Sequence, residues 1–110
     1  MKIKVSRFFA RFKIAGFTYY DGIEVFNELL SGQKLSLKPE PENRHDPNAV
    51  AIFFKDKHIG YVPRAHNELI FRFFALGYDI FECYVSNVNP EEHPENQINV
   101  LVRIKRNKKS

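Results

Sequence analysis

The sequence predicts a mainly β domain of the α+β class: a curled antiparallel sheet or small barrel of about six strands, carrying two short helices. Three observations predict it. Six short segments either alternate apolar and polar residues or run apolar for a few positions, as strands do. Two others repeat at helical spacing and stop at a glycine. The 110 residues, 44% of them hydrophobic, suffice for one core and not for two, so residues 1–110 are expected to form a single domain.

In the first strand Phe8, Ala10, Phe12 and Ile14 alternate with Phe9, Arg11 and Lys13, which predicts one face in the core and one basic face. Asp21-Gly-Ile-Glu24 then has the form of a helix start, with Asp21 accepting backbone N–H bonds and Glu24 reaching back. Ile23, Phe26 and Leu30 share one face of that helix, and Gly32 ends it after two to three turns.

Leu35 and Leu37 mark a second strand within 34–38, and the apolar run 49–54 suits a third that is buried on both faces. Lys55-Asp56-Lys57 is a tight polar turn into a fourth strand at 58–62. Pro63 opens a second helix that runs to about Leu76, with Ala65, Leu69 and Phe73 on one face, a Glu68–Arg72 pair on another, and Gly77 at its end. The last two strands, at 78–88 and 98–104, flank NPEEHPEN, too rich in Pro and Asn to pair. The basic tail 105–110 is expected to fray.

Formal charge is +4 with a pI near 9.3, which favours polyanionic partners. The lone Cys83 excludes an internal disulfide and reads as a small buried hydrophobe, consistent with a reduced, cytoplasmic setting. Charges at positions 2, 4, 7, 11 and 13 interrupt any signal-peptide core, and no stretch approaches the ~20 apolar residues of a membrane span.

Enzymatic chemistry finds little support. His45, Asp46, Glu40 and Glu42, with Glu91, Glu92 and His93, match no metal-ligand spacing, and in extended chain His45 and Asp46 point apart. The five glycines are scattered singly, so no phosphate-cradling loop exists. No catalysis, metal or cofactor is therefore expected. GFTYYDG at 16–22 places Tyr19 and Tyr20 before a helix N-terminus that favours an anion. Since neighbouring extended residues point oppositely, one ring is expected in the core and one free to stack on a base.

GFTYYDG, then EP-x-N-x-x-DPNAV at 40–50, then IGYVPR at 59–64, resemble the successive signature blocks of the HIRAN domain over about residues 9–104. That resemblance implies an OB-like β-barrel with two helices, which binds single-stranded DNA and captures a free 3′ end. It implies that Tyr19, first of the aromatic pair with Tyr20, stacks on a base, and that Asp46 accepts from the terminal 3′-hydroxyl. It places Arg64 near the phosphates and Tyr61 in the lining of the same pocket. Thr18 stands where DNA-end-binding members carry an arginine, and His45 where they carry a second stacking aromatic.

The resulting expectation is a free-standing bacterial or phage module for single-stranded DNA 3′ ends in DNA repair or replication, acting beside a helicase, nuclease or other DNA-processing protein. The alternative is a protein-interaction or regulatory adaptor that uses exposed aromatic loops or an open barrel edge.

Overall fold

The computed structural model describes residues 3–107. Six strands, β1 (Phe8–Lys13), β2 (Lys34–Pro39), β3 (Val50–Phe54), β4 (Lys57–Tyr61), β5 (Phe81–Val88) and β6 (Ile98–Ile104), form one antiparallel sheet in the order β1-β6-β5-β2-β3-β4. Its two outer edges meet: Ala15, just past β1, and Tyr61 of β4 exchange two backbone hydrogen bonds of 2.9 Å. The sheet thus curls into an OB-like barrel, mainly β, with two short helices.

Gly60 makes this closure possible. Its φ is +146°, and a Cβ there would lie 2.3 Å from Ile14 Cγ2 and 2.6 Å from the Ala15 carbonyl oxygen. Only glycine allows the two edges so close.

The barrel interior holds Phe12, Leu35, Ile52, Ile59, Val85, Val100 and Val102, all buried, and β3 is buried along nearly its whole length as its apolar run predicts. Cys83 is among them, a free and buried thiol. Burial raises its pKa far above the ordinary thiol value.

Three helix and strand faces differ from the sequence-based expectation. In β1 the pairing with β6 shifts register between Phe8 and Ala10, so Phe8 is exposed while Phe9 packs on Phe81 with ring centroids 4.7 Å apart. The first helix is one short turn, α1 (Gly22–Val25), continued by a 3-10 turn at Phe26–Glu28. It buries Val25, and Leu29 just beyond it, while Ile23 and Leu30 are exposed. Gly22 decides this face, because the Phe17 ring sits 2.4 Å from where a Gly22 Cβ would be. Asp21 makes no side-chain cap bond, and so short a helix offers no anion site.

The second helix, α2 (Arg64–Ala75), buries Asn67 and Ile70 and rests Phe71, Phe73 and Phe74 against the core, leaving Ala65 and Leu69 exposed. Three phenylalanines carry more apolar area than the Ala65–Leu69 stripe, so the helix turns them inward. The Glu68–Arg72 pair forms at 2.7 Å, and Gly77 ends the helix with φ +91°. Lys105 is tied down by its N–H to the Ile80 carbonyl and its ammonium to Asp79, so the barrel reaches one residue into the tail. The fraying expected of that tail falls partly on 108–110, outside the described residues. Among the described residues no helix is long and apolar enough to cross a membrane.

Candidate functional site

The end of β4, the start of α2, the segment 15–20 and the loop between β2 and β3 surround one open groove of about 370 Å³. Tyr19, Tyr20, His45, Asp46, Tyr61 and Arg64 all line it. Six of the seven site residues expected from sequence therefore converge. Thr18 does not: its hydroxyl donates to Glu95 Oε1 at 2.6 Å, pinning the β5–β6 loop.

The charged loop at 40–49 is built by its own side chains. Asn43 Oδ1 accepts from the N–H groups of His45 (2.8 Å) and Asp46 (3.0 Å), and Asp46 Oδ1 accepts from the Asn48 N–H at 2.9 Å. These short-range bonds replace the ladder that an extended chain would make. They also bend the loop, which is why His45 and Asp46 line one groove instead of pointing apart.

Asp46 is the hub. Its second oxygen accepts from the Asn67 amide of α2 at 2.8 Å, and Arg64 Nε lies 3.6 Å away. Arg64 also donates through Nη2 to the His45 carbonyl at 2.6 Å. The Asp46 side chain keeps 18% of its surface exposed. A carboxylate offers about four lone-pair sites, so two hydrogen bonds leave acceptor capacity toward the groove.

At the start of the same loop Glu40 Oε1 accepts from the Tyr61 hydroxyl at 2.7 Å and from the Asn43 amide at 3.0 Å. Burial, reinforced by this bond and by the charge of Glu40, raises the Tyr61 pKa well above the ordinary phenol value, so the ring stays a neutral donor. Tyr20 packs on His58 (centroids 4.3 Å) and on Tyr61 (5.4 Å), and His58 stacks on Phe53 at 5.1 Å. The groove thus has an aromatic floor.

Neither tyrosine of the pair enters the core. Tyr19 is 82% exposed and Tyr20 40%, because Phe17 is the ring that anchors this 3-10 turn, at 1% exposure. Tyr19 projects free of ring partners among the described contacts; Tyr20 is held by the aromatic floor.

Sequence reasoning missed Asn67 and His58. Asn67 carried a readable signal, since it lies three residues after Arg64 and so shares its helix face. His58 pairs with Phe53 across the β3–β4 hairpin and lies near Tyr61 on the same strand, but its contact with Tyr20, which brings it to the groove, comes from a segment distant in sequence. Among the described residues no group of three or more His, Cys, Asp or Glu side chains is placed to hold a metal.

The sequence model of the HIRAN domain matches residues 8–105. The chain belongs to the HIRAN family. The HIRAN barrel is similar to a crystal structure of a structural-genomics protein from Lactobacillus plantarum, at 18% identity and a TM-score of 0.76, over 93% of this chain and 98% of that one. It is also similar to the crystal structure of the HIRAN domain of human HLTF, at 16% identity and a TM-score of 0.64, over 87% and 75% of the two chains. At such identities the likeness concerns the fold. No curated protein matches the sequence.

Proposed function

We propose that this HIRAN protein is a non-catalytic module that binds single-stranded DNA and holds a free 3′-hydroxyl end in the groove, in the service of DNA repair or replication. The observation that carries the reading is the Asp46 carboxylate: anchored from two sides, partly exposed, and facing an open groove with Arg64 beside it.

An alcohol donates a hydrogen bond to such a carboxylate, whereas a terminal phosphate brings like charge against it. The group therefore selects a free hydroxyl over a phosphorylated or continuing strand. Arg64 supplies positive charge next to that position for a backbone phosphate. The exposed Tyr19 ring offers a π-face to a base, an interaction worth about 1–3 kcal/mol and tolerant of sequence. His45 adds a second ring at the groove edge.

An end-binding module of this kind works beside a helicase, nuclease or other DNA-processing protein, and a groove lined by an anchored carboxylate, a guanidinium and aromatic rings suits the capture of a strand end. Fluorescence anisotropy of short labelled oligonucleotides over a salt series tests the reading. Saturable binding that weakens linearly in log affinity with log salt is expected. Absence of saturable binding at low salt would exclude it.

A further inference from the structure

We infer that the outer face of β1, β6, β5 and β2 is a second nucleic-acid contact, one that grips the phosphate backbone without regard to sequence or strand end. It lies away from the groove and stands independently of the function proposed for it.

Strand register assembles this face. Arg11 pairs with Leu101, Leu101 with Tyr84, and Tyr84 with Lys34, so these four side chains form one cross-strand row. Lys13 and Asn99 pair in the next row, and Arg103 and Glu82 in the row on the other side. Alternation along β2 puts Lys38 on the same side as Lys34. The inward partners, Phe12, Val100, Val102, Val85 and Leu35, are all buried, while Arg11, Lys13, Lys34 and Lys38 are exposed.

The charge on this face is one-sided. The four strands contain a single acid, Glu82, and it is already neutralised by Arg7 and by Arg103 at 3.1 Å. Counting Arg7, the face holds six of the chain's 17 Lys and Arg and one of its 13 acids, which leaves 11 cations against 12 acids elsewhere. The whole net charge of +4 is thus accounted for here. Cations often guard sheet edges against pairing, but Lys34, Lys38 and Arg103 stand on the interior strands β2 and β6, which have no edge to guard.

Part of the face is also preorganised. The Arg103 guanidinium lies 4.5 Å from the Tyr84 ring centroid, with Nη2 at 3.1 Å from the Tyr84 hydroxyl and Nε on Glu82. That places a planar, fixed cation in the row beside Arg11 and Lys34, next to a partly exposed patch of Tyr84 and Leu101. Positive charge at this density, with so little acid, complements a polyanion of repeated phosphates.

A small circular single-stranded oligonucleotide, which has no end for the groove to capture, is the probe. Anisotropy should show saturable, salt-sensitive binding to the wild-type chain. The double variant Arg11→Glu with Lys34→Glu should weaken it at least about tenfold near 0.1 M salt and lower the salt slope by roughly two phosphates' worth. The preference of the same variant for 3′-hydroxyl over 3′-phosphate linear strands should not change. If charge reversal lowers the melting temperature, Arg11→Gln with Lys34→Gln should show the same pattern at smaller amplitude. Circular-strand affinity altered less than about twofold in both variants would overturn the inference. So would binding to phosphatidylserine vesicles, lost in the variants, with no binding to circular DNA. A wild-type end preference of one, with circular binding intact and variant-sensitive, would remove the groove's function and leave this face standing.

Discussion

The side-chain amide of Asn67 donates to Asp46 Oδ2 at 2.8 Å, and this bond ties the first turns of α2 to the loop that carries the groove's carboxylate. Asn67 is 2% exposed, the single fully buried polar residue among those described. A buried amide left without its partner, or a carboxylate left without its donor, costs more than the bond itself contributes. The pair therefore fixes where Asp46 points.

Asn67→Ala is expected to lower stability by about 1–3 kcal/mol, through the lost bond and the small cavity. It should also reduce discrimination between DNA ends, because Asp46 loses one of its two anchors. Urea denaturation and paired oligonucleotide titrations check the two effects separately.

The tyrosine pair divides by environment. Tyr19, free in the groove mouth, should on mutation to Ala leave stability within about 0.5 kcal/mol and weaken single-stranded DNA binding by about 1–3 kcal/mol. Tyr20→Ala removes packing on His58 and Tyr61 and should cost about 1–2 kcal/mol of stability as well. Equal binding losses with unchanged melting temperatures would contradict this division.

Gly60→Ala places a methyl group on Ile14 and the Ala15 carbonyl at a positive φ. Backbone strain and overpacking together predict a loss of about 2–4 kcal/mol. Amide exchange should show the Ala15 and Tyr61 N–H groups, now protected by their mutual bonds, exchanging first.

Glu82 gives the stability a dependence on acid. Burial alone would raise its pKa, but the hydrogen bond and charge of Arg103, with Arg7 and Tyr84 behind them, hold it below the ordinary value of 4.5. A carboxyl whose folded pKa is depressed contributes stability that is full above the unfolded pKa and is lost as pH falls through the folded one. Stability should therefore be level in this respect above about pH 5 and fall below about pH 4.5. Glu82→Gln should flatten that fall when melting temperature is followed against pH.

Much of this fold was legible in the chain. Periodicity located all six strands to within about three residues, and glycines at 32 and 77 marked real turns with positive φ. Faces were harder to read. The register shift at Phe8 and Ala10, and the choice of α2 to bury its phenylalanines, depend on contacts between segments far apart in sequence. The groove was legible as three separate motifs, but only folding shows that Asn43 bends the loop and that Thr18 turns away to Glu95. Nor does periodicity alone reveal that folding sets the cations of β1 and β2 on one face with Arg103 of β6.

The central claim rests on Asp46, and its most direct test compares affinities for two oligonucleotides identical except for a 3′-hydroxyl or a 3′-phosphate. Wild-type protein should prefer the hydroxyl, since the phosphate removes the donor and brings negative charge against the carboxylate. Asp46→Asn should shrink that preference and weaken hydroxyl binding by about 1.5–3 kcal/mol, the range for a hydrogen bond to a charged group. Its melting temperature, measured in parallel, separates the loop's own need for Asp46 Oδ1 on the Asn48 N–H from the ligand's. A wild-type affinity ratio near one would contradict the account, whatever the variant does.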